Sequence, residues 1–215
     1  MSEHRIGIVV FLWCILGSLV AGIAAAAPVL DQESPAMGES FPADYTGVYW
    51  QQGVTAGVAG LLTRVDLYIT QPGDFWDLNI WRGTPWQNRP ADFYLHATLW
   101  DVPAGWLSLD VSAGGLLFDV GDQFTIGVAG IAGGDEFKGP WLGGSHVVSG
   151  GAYAGGTLWW DDFYQGGEPY GGGNGDYDFA FRTYMDPGVV PAPAAVVLVV
   201  LGTGLTGWLR RRGTM

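Results

Sequence analysis

Cysteine is nearly missing from this 215-residue chain, Cys14 being the only one, so no intrachain disulfide framework can be built from it. Charge is scarce too, at 14% of residues. That composition excludes a coiled coil or a surface-charged helical bundle, which need Ala, Glu, Lys and Leu in quantity. Basic residues number only nine against 21 acids, and a nucleic-acid surface needs more cations to displace counterions than such a balance provides. No three-residue glycine period exists, which rules out collagen. What is present instead is 36 Gly, 11 Trp and 48% hydrophobic residues. That is too much apolar surface for a disordered chain, and the glycines fall in clusters between apolar runs, as turns do in all-β proteins.

The two ends are unlike the middle. Arg5, an apolar run over residues 6–23 and Ala24 to Ala27 form a secretory signal peptide, with small residues fitting a cut after Ala26. Residues 1–26 are therefore read as signal peptide; an uncleaved anchor is the competing reading. Cys14 leaves with it. At the other end, Pro191, Ala192 and Pro193 precede an apolar segment over residues 194–209, followed by Arg210, Arg211 and Arg212. Sixteen residues make a helix of about 24 Å, enough to span a ~30 Å hydrocarbon core if the arginines snorkel. The arginines stay on the cytoplasmic side, in residues 210–215.

This tail resembles the PEP-CTERM sorting signal of Gram-negative bacteria: a Pro-x-Pro motif, a short helix containing glycine (Gly202, Gly204, Gly207) and an arginine cluster. Ala192 stands where the name-giving motif has Glu, a common variant of the family. The resemblance covers residues 189–213 and implies recognition by an exosortase, a membrane transpeptidase that cuts near Pro191, Ala192 and Pro193, in systems that accompany exopolysaccharide production. An ordinary tail anchor is the alternative.

Between the ends, residues 27–44 read as an N-terminal linker, 45–185 as the folded domain and 186–193 as a linker carrying the motif. Without residues 1–26 and the tail, twenty acidic and five basic residues remain, a net charge of −15 against −12 for the whole chain. The domain alternates with a period of two. Val65, Leu67 and Ile69 oppose Arg64, Asp66 and Tyr68, and Trp76, Leu78 and Ile80 oppose Asp77, Asn79 and Trp81. Leu95, Ala97 and Leu99, then Leu107, Leu109 and Val111, then Phe124, Ile126 and Val128 continue the pattern. Breakers such as Gln71-Pro72-Gly73 and Val102-Pro103-Ala104-Gly105 separate the runs. Eight or nine short strands are predicted, forming an all-β, two-sheet antiparallel β-sandwich of jelly-roll-like type. The stretches 52–67, 118–126 and 178–184 resemble bacterial exported β-sandwich domains found before surface-anchoring signals, a resemblance that speaks to fold more than function.

Candidate sites follow from exposure by alternation. Trp81 points away from the core face and Trp86 lies in the loop just beyond it, so the pair predicts an aromatic platform for a sugar, with Asn79, Arg82 and Asn88 near enough to take hydroxyls. Trp76 falls on the core face of its strand by alternation, and Trp50 and Trp106 could equally be core. A second group, Trp141, Tyr153, Trp159, Trp160, Phe163, Tyr164 and Tyr170, interleaved with Asp161, Asp162 and Glu168, reads as a cleft rim, and Trp159 and Trp160 join the glycan candidates. Packing under loops would account equally for both groups. Asn174, Asp176 and Asp178 alternate after a glycine run and would bring oxygen ligands to one side for a structural calcium; a solvated strand edge is the other reading. No cofactor is otherwise implied.

Catalytic constellations are poor. His96 and His146 have no metal-binding spacing, and no serine sits in a Gly-x-Ser-x-Gly elbow. Asp161-Asp162 and Asp135-Glu136 are nominal carboxylate pairs, read as solvated charge on exposed turns. The expectation is a non-catalytic protein of the envelope or extracellular, biofilm-type matrix. It passes the inner membrane with signal peptidase and exosortase as processing partners, and its domain binds exopolysaccharide. A structural surface-assembly protein with no glycan site is the alternative, and a glycoside-active enzyme the third.

Overall fold

The computed structural model describes residues 27–43, 48–85, 95–129, 139–147, 152–162, 166–169 and 176–189. The signal peptide, the apolar segment 194–209, the motif Pro191, Ala192, Pro193 and Arg210, Arg211, Arg212 lie outside these residues. Among the described residues no helix is long and apolar enough to cross a membrane. The only helical turns there are Ser112–Gly114 and Pro187–Val189.

Among the described residues, fourteen strands form two antiparallel sheets, more than the eight or nine that turn spacing alone suggests. Short pieces such as β8 (Leu117–Phe118) carry no periodicity long enough to read. The larger sheet runs β1 (Val29–Ser34), β14 (Phe181–Asp186), β4 (Gly60–Gln71), β10 (Trp141–His146), β13 (Tyr177–Phe179), with β2 (Glu39–Pro42) on β10 and β7 (Gly105–Asp110) and β8 on β4. The second sheet runs β12 (Gly166–Pro169), β11 (Leu158–Asp162), β3 (Val48–Thr55), β9 (Gln123–Ala129), β5 (Gly73–Arg82), β6 (Leu95–Val102).

The period-two runs deliver the core. Val65, Leu67 and Ile69 of β4, Trp76, Leu78 and Ile80 of β5, and Phe124, Ile126 and Val128 of β9 are all buried in one cluster that joins the two sheets. A register shift opposite Tyr184 and Met185 leaves one residue of β4 unmatched between Leu62 and Arg64. Leu62 and Val65 therefore both face inward, three residues apart, as a β-bulge allows. Trp50 is buried as expected and ties its indole N–H to the Pro42 carbonyl at 2.8 Å. Trp106, by contrast, is 38% exposed, lying on the outer face of the larger sheet against Tyr68 and under the Arg182 guanidinium.

Two boundaries differ from the sequence reading. The segment read as a linker over residues 27–44 holds two strands, because β1 pairs along β14 and β2 along β10. Their polar sequence, Asp31-Gln32-Glu33-Ser34 and Glu39-Ser40, hides strands at the sheet edge, where one side chain in two faces water. Asp161 and Asp162 do not sit on a turn either. They end β11, paired with Tyr49 and Val48 on one side and with Gly167 and Gly166 on the other.

Candidate functional site

Outward-facing residues of the second sheet define the ground on which a ligand could rest, and Trp81 is one of them. Its indole is nevertheless buried, at 3% exposure, and stacks on Tyr49 with centroids 6.0 Å apart and planes 15° from parallel. Both rings lie over Gly127 of the intervening strand β9, where an added Cβ would collide with them. Trp81 is thus no exposed platform. Alternation correctly put it on the outer face, but the missing side chain at Gly127 lets two large rings close over that face and bury each other.

Asn79 is corrected in the same way. It is buried, its Oδ1 held 2.7 Å from His96 Nδ1, leaving it turned to a neighbour rather than to solvent. Arg82 is exposed, and its guanidinium pairs with Asp122 at 3.3 Å while lying over the Phe118 ring. Trp160 faces inward and packs against the core. Tyr153 is buried, with its ring edge-on to Phe181. Trp86, Asn88, Asp135, Glu136, Phe163, Tyr164, Tyr170 and Asn174 lie outside the described residues.

Trp159 keeps its place. It is half-buried on the outer face of β11, opposite Gln51, and lines a cleft of about 220 Å³. The floor is Gly53 and Val54 of β3 with Gln123 and Phe124 of β9; one wall is Thr84 and Pro85, the other Gly155, Gly156 and Thr157. Thr84 and Pro85, which follow β5, and Trp159 of β11, far apart in the sequence, therefore line one cleft. Glycine makes this approach possible: a Cβ on Gly156 would strike the Gly53 carbonyl, and one on Gly53 would come within 3.0 Å of Pro85.

The glycine wall is tied down at several points. Gly53 N–H donates to the Thr157 carbonyl at 3.0 Å, and Thr55 Oγ1 donates to the Gly155 carbonyl at 2.6 Å. The Tyr153 hydroxyl accepts from Thr55 N–H at 2.9 Å and donates to the Thr55 carbonyl at 3.2 Å. Burial pushes this phenol up to about 12, so it stays neutral.

The proposed calcium edge is different in kind. Asp178 is fully buried and links the sheets: Oδ1 accepts from Gln52 Nε2 at 3.0 Å and Oδ2 from Tyr153 N–H at 3.0 Å, while Gln52 Oε1 accepts from Phe179 N–H at 2.8 Å. Burial pushes the Asp178 carboxyl up to about 6, against the pull of N–H donors from Tyr153, Gln52 and Ala152. Asp176 is also buried, at 9% exposure. Among the described residues no three His, Cys, Asp or Glu side chains cluster as a metal site would need. An alternating acid run reads as a solvated edge in sequence; the partner that turns Asp178 inward, Gln52, is 126 positions away.

Compared with protein-family models, with curated proteins and with solved structures, the chain matches none.

Proposed function

We propose that the chain is a non-catalytic protein exported to the envelope or extracellular matrix and sorted through an exosortase, and that its jelly-roll-like domain holds exopolysaccharide in the cleft beside Trp159. The cleft carries the proposal. A partly exposed indole lines the cleft together with Thr84 and Pro85, with Gln123 and Thr157 supplying amide and hydroxyl groups. That combination suits a pyranose, whose C–H face packs on an aromatic ring while its hydroxyls need partners that donate and accept. The export half of the proposal rests on the signal peptide and the Pro-x-Pro, apolar and triple-arginine tail.

The second reading, a surface-assembly protein with no glycan site, draws support from the burial of Trp81, Trp160 and Tyr153, aromatics used for packing. Titration of the exported protein with its host's exopolysaccharide separates the two. The glycan reading expects saturable binding that falls about tenfold in Trp159→Ala, equivalent to ~1.4 kcal/mol. Absence of binding by the native protein would favour assembly, and equal affinity in Trp159→Ala would remove the cleft.

A further inference from the structure

Resting on the glycan reading, we infer that the cleft takes a single neutral sugar residue, a chain end or side branch, and turns away uronic, sulfated and other anionic units. Three observations converge. First, none of the ten described residues lining the cleft is ionisable: Gly53, Val54, Thr84, Pro85, Gln123, Phe124, Gly155, Gly156, Thr157 and Trp159. They sit in a domain whose net charge is −15. An anionic sugar would enter this negative field with no cation among the described lining residues to meet it, and a charge that leaves water without a partner is costly. The nearest described cation in sequence, Arg82, is already engaged by Asp122 at 3.3 Å and by the Phe118 ring.

Second, the polar groups suit neutral hydroxyls. Gln123 offers an amide that both donates and accepts, and Thr84 and Thr157 offer hydroxyls that rotate to do either. Sugar hydroxyls likewise donate and accept, so every pairing can be met without a proton or an ion. Third, the volume fits one ring. About 220 Å³ is below the ~300–1,000 Å³ of sites that enclose drug-sized ligands, and a run of sugars lying lengthwise would need more. The shape is also pre-set, since the bonds from Gly53 and Thr55 to the Thr157 and Gly155 carbonyls hold the wall before any ligand arrives.

The test uses the host's own exopolysaccharide, partly hydrolysed and separated on an anion exchanger into neutral and acidic oligosaccharide pools. Each pool is titrated into the exported protein calorimetrically, alongside Trp159→Ala and Gln123→Leu. The second variant is at an exposed position and serves if the first fails to fold. The neutral pool is expected to bind, at least tenfold more weakly in either folded variant, and the acidic pool not at all. Binding confined to the acidic pool and lost in Trp159→Ala would overturn the neutral specificity while leaving the glycan reading in place. Binding by neither pool, or binding untouched by both variants, would overturn both.

Discussion

An indole on the outside of a sheet stays exposed only when its cross-strand neighbours are too small or too distant to reach it. Around Trp81 the opposite holds, because Gly127 on the strand between leaves a trough into which Trp81 and Tyr49 both lean. Trp81 therefore acts as a second, outer core. Trp81→Ala is expected to lower unfolding stability by ~3–5 kcal/mol, the usual cost of truncating a buried aromatic, while the folded fraction binds glycan as the native protein does. Urea denaturation followed by titration under native conditions checks both halves. Weakened binding with unchanged stability would return Trp81 to the role of platform that its place in the alternation suggests. Trp159, also on an outer face, differs because Gly53, Gly155 and Gly156 near it open into a cleft instead of a trough filled by another ring.

Strands and the links between them explain which features could be read in advance. The inward faces of β4, β5 and β9 were legible because a strand states its own burial through alternation. The strands β1 and β2 were not, since edge strands with one solvated face read as polar linker. Asp178 was misplaced for a related reason: its environment is made by Gln52 of β3 and by the segment that enters β11, neither of which is near it in sequence. Its inward turn has a measurable consequence. The unfolded carboxyl loses its proton near 3.8, whereas the folded one holds it until about 6. The folded state thus binds more protons between these values, so the stability Asp178 contributes is full below about 3.8, falls as pH rises to about 6 and is level above. Asp178→Asn should be less stable, because its amide N–H₂ would face a donor in either orientation, Gln52 Nε2 or the Tyr153 N–H, and should also lack this slope. Urea midpoints for both proteins at intervals from pH 4 to 7 provide the comparison. Parallel curves would mean that the carboxyl titrates as it does in the unfolded chain.

For the whole molecule the decisive quantity is what would remain after the proposed export. Were Cys14 removed with the proposed signal peptide, the domain would have no covalent cross-link, and its stability would fall to two sheets sharing one hydrophobic cluster. Both expected cuts lie outside the sandwich: β1 begins at Val29, after the site following Ala26, and the last described turn, Pro187–Val189, ends before Pro191. Processing at either end would then leave every strand pairing untouched, which lets a domain fold while tethered and be freed or re-attached afterwards. Mass spectrometry of the protein taken from the host's surface is expected to find Ala27 at the N-terminus and a C-terminus at or near Pro191 to Pro193, without Arg210, Arg211 and Arg212. The product would be more acidic than the precursor by three charges, the net −15 domain against −12 for the whole chain, and should migrate accordingly in isoelectric focusing. A surface form that keeps its arginines would make the tail a permanent anchor. The cleft would then be held within reach of the inner membrane, and exopolysaccharide could be met only as it emerges there.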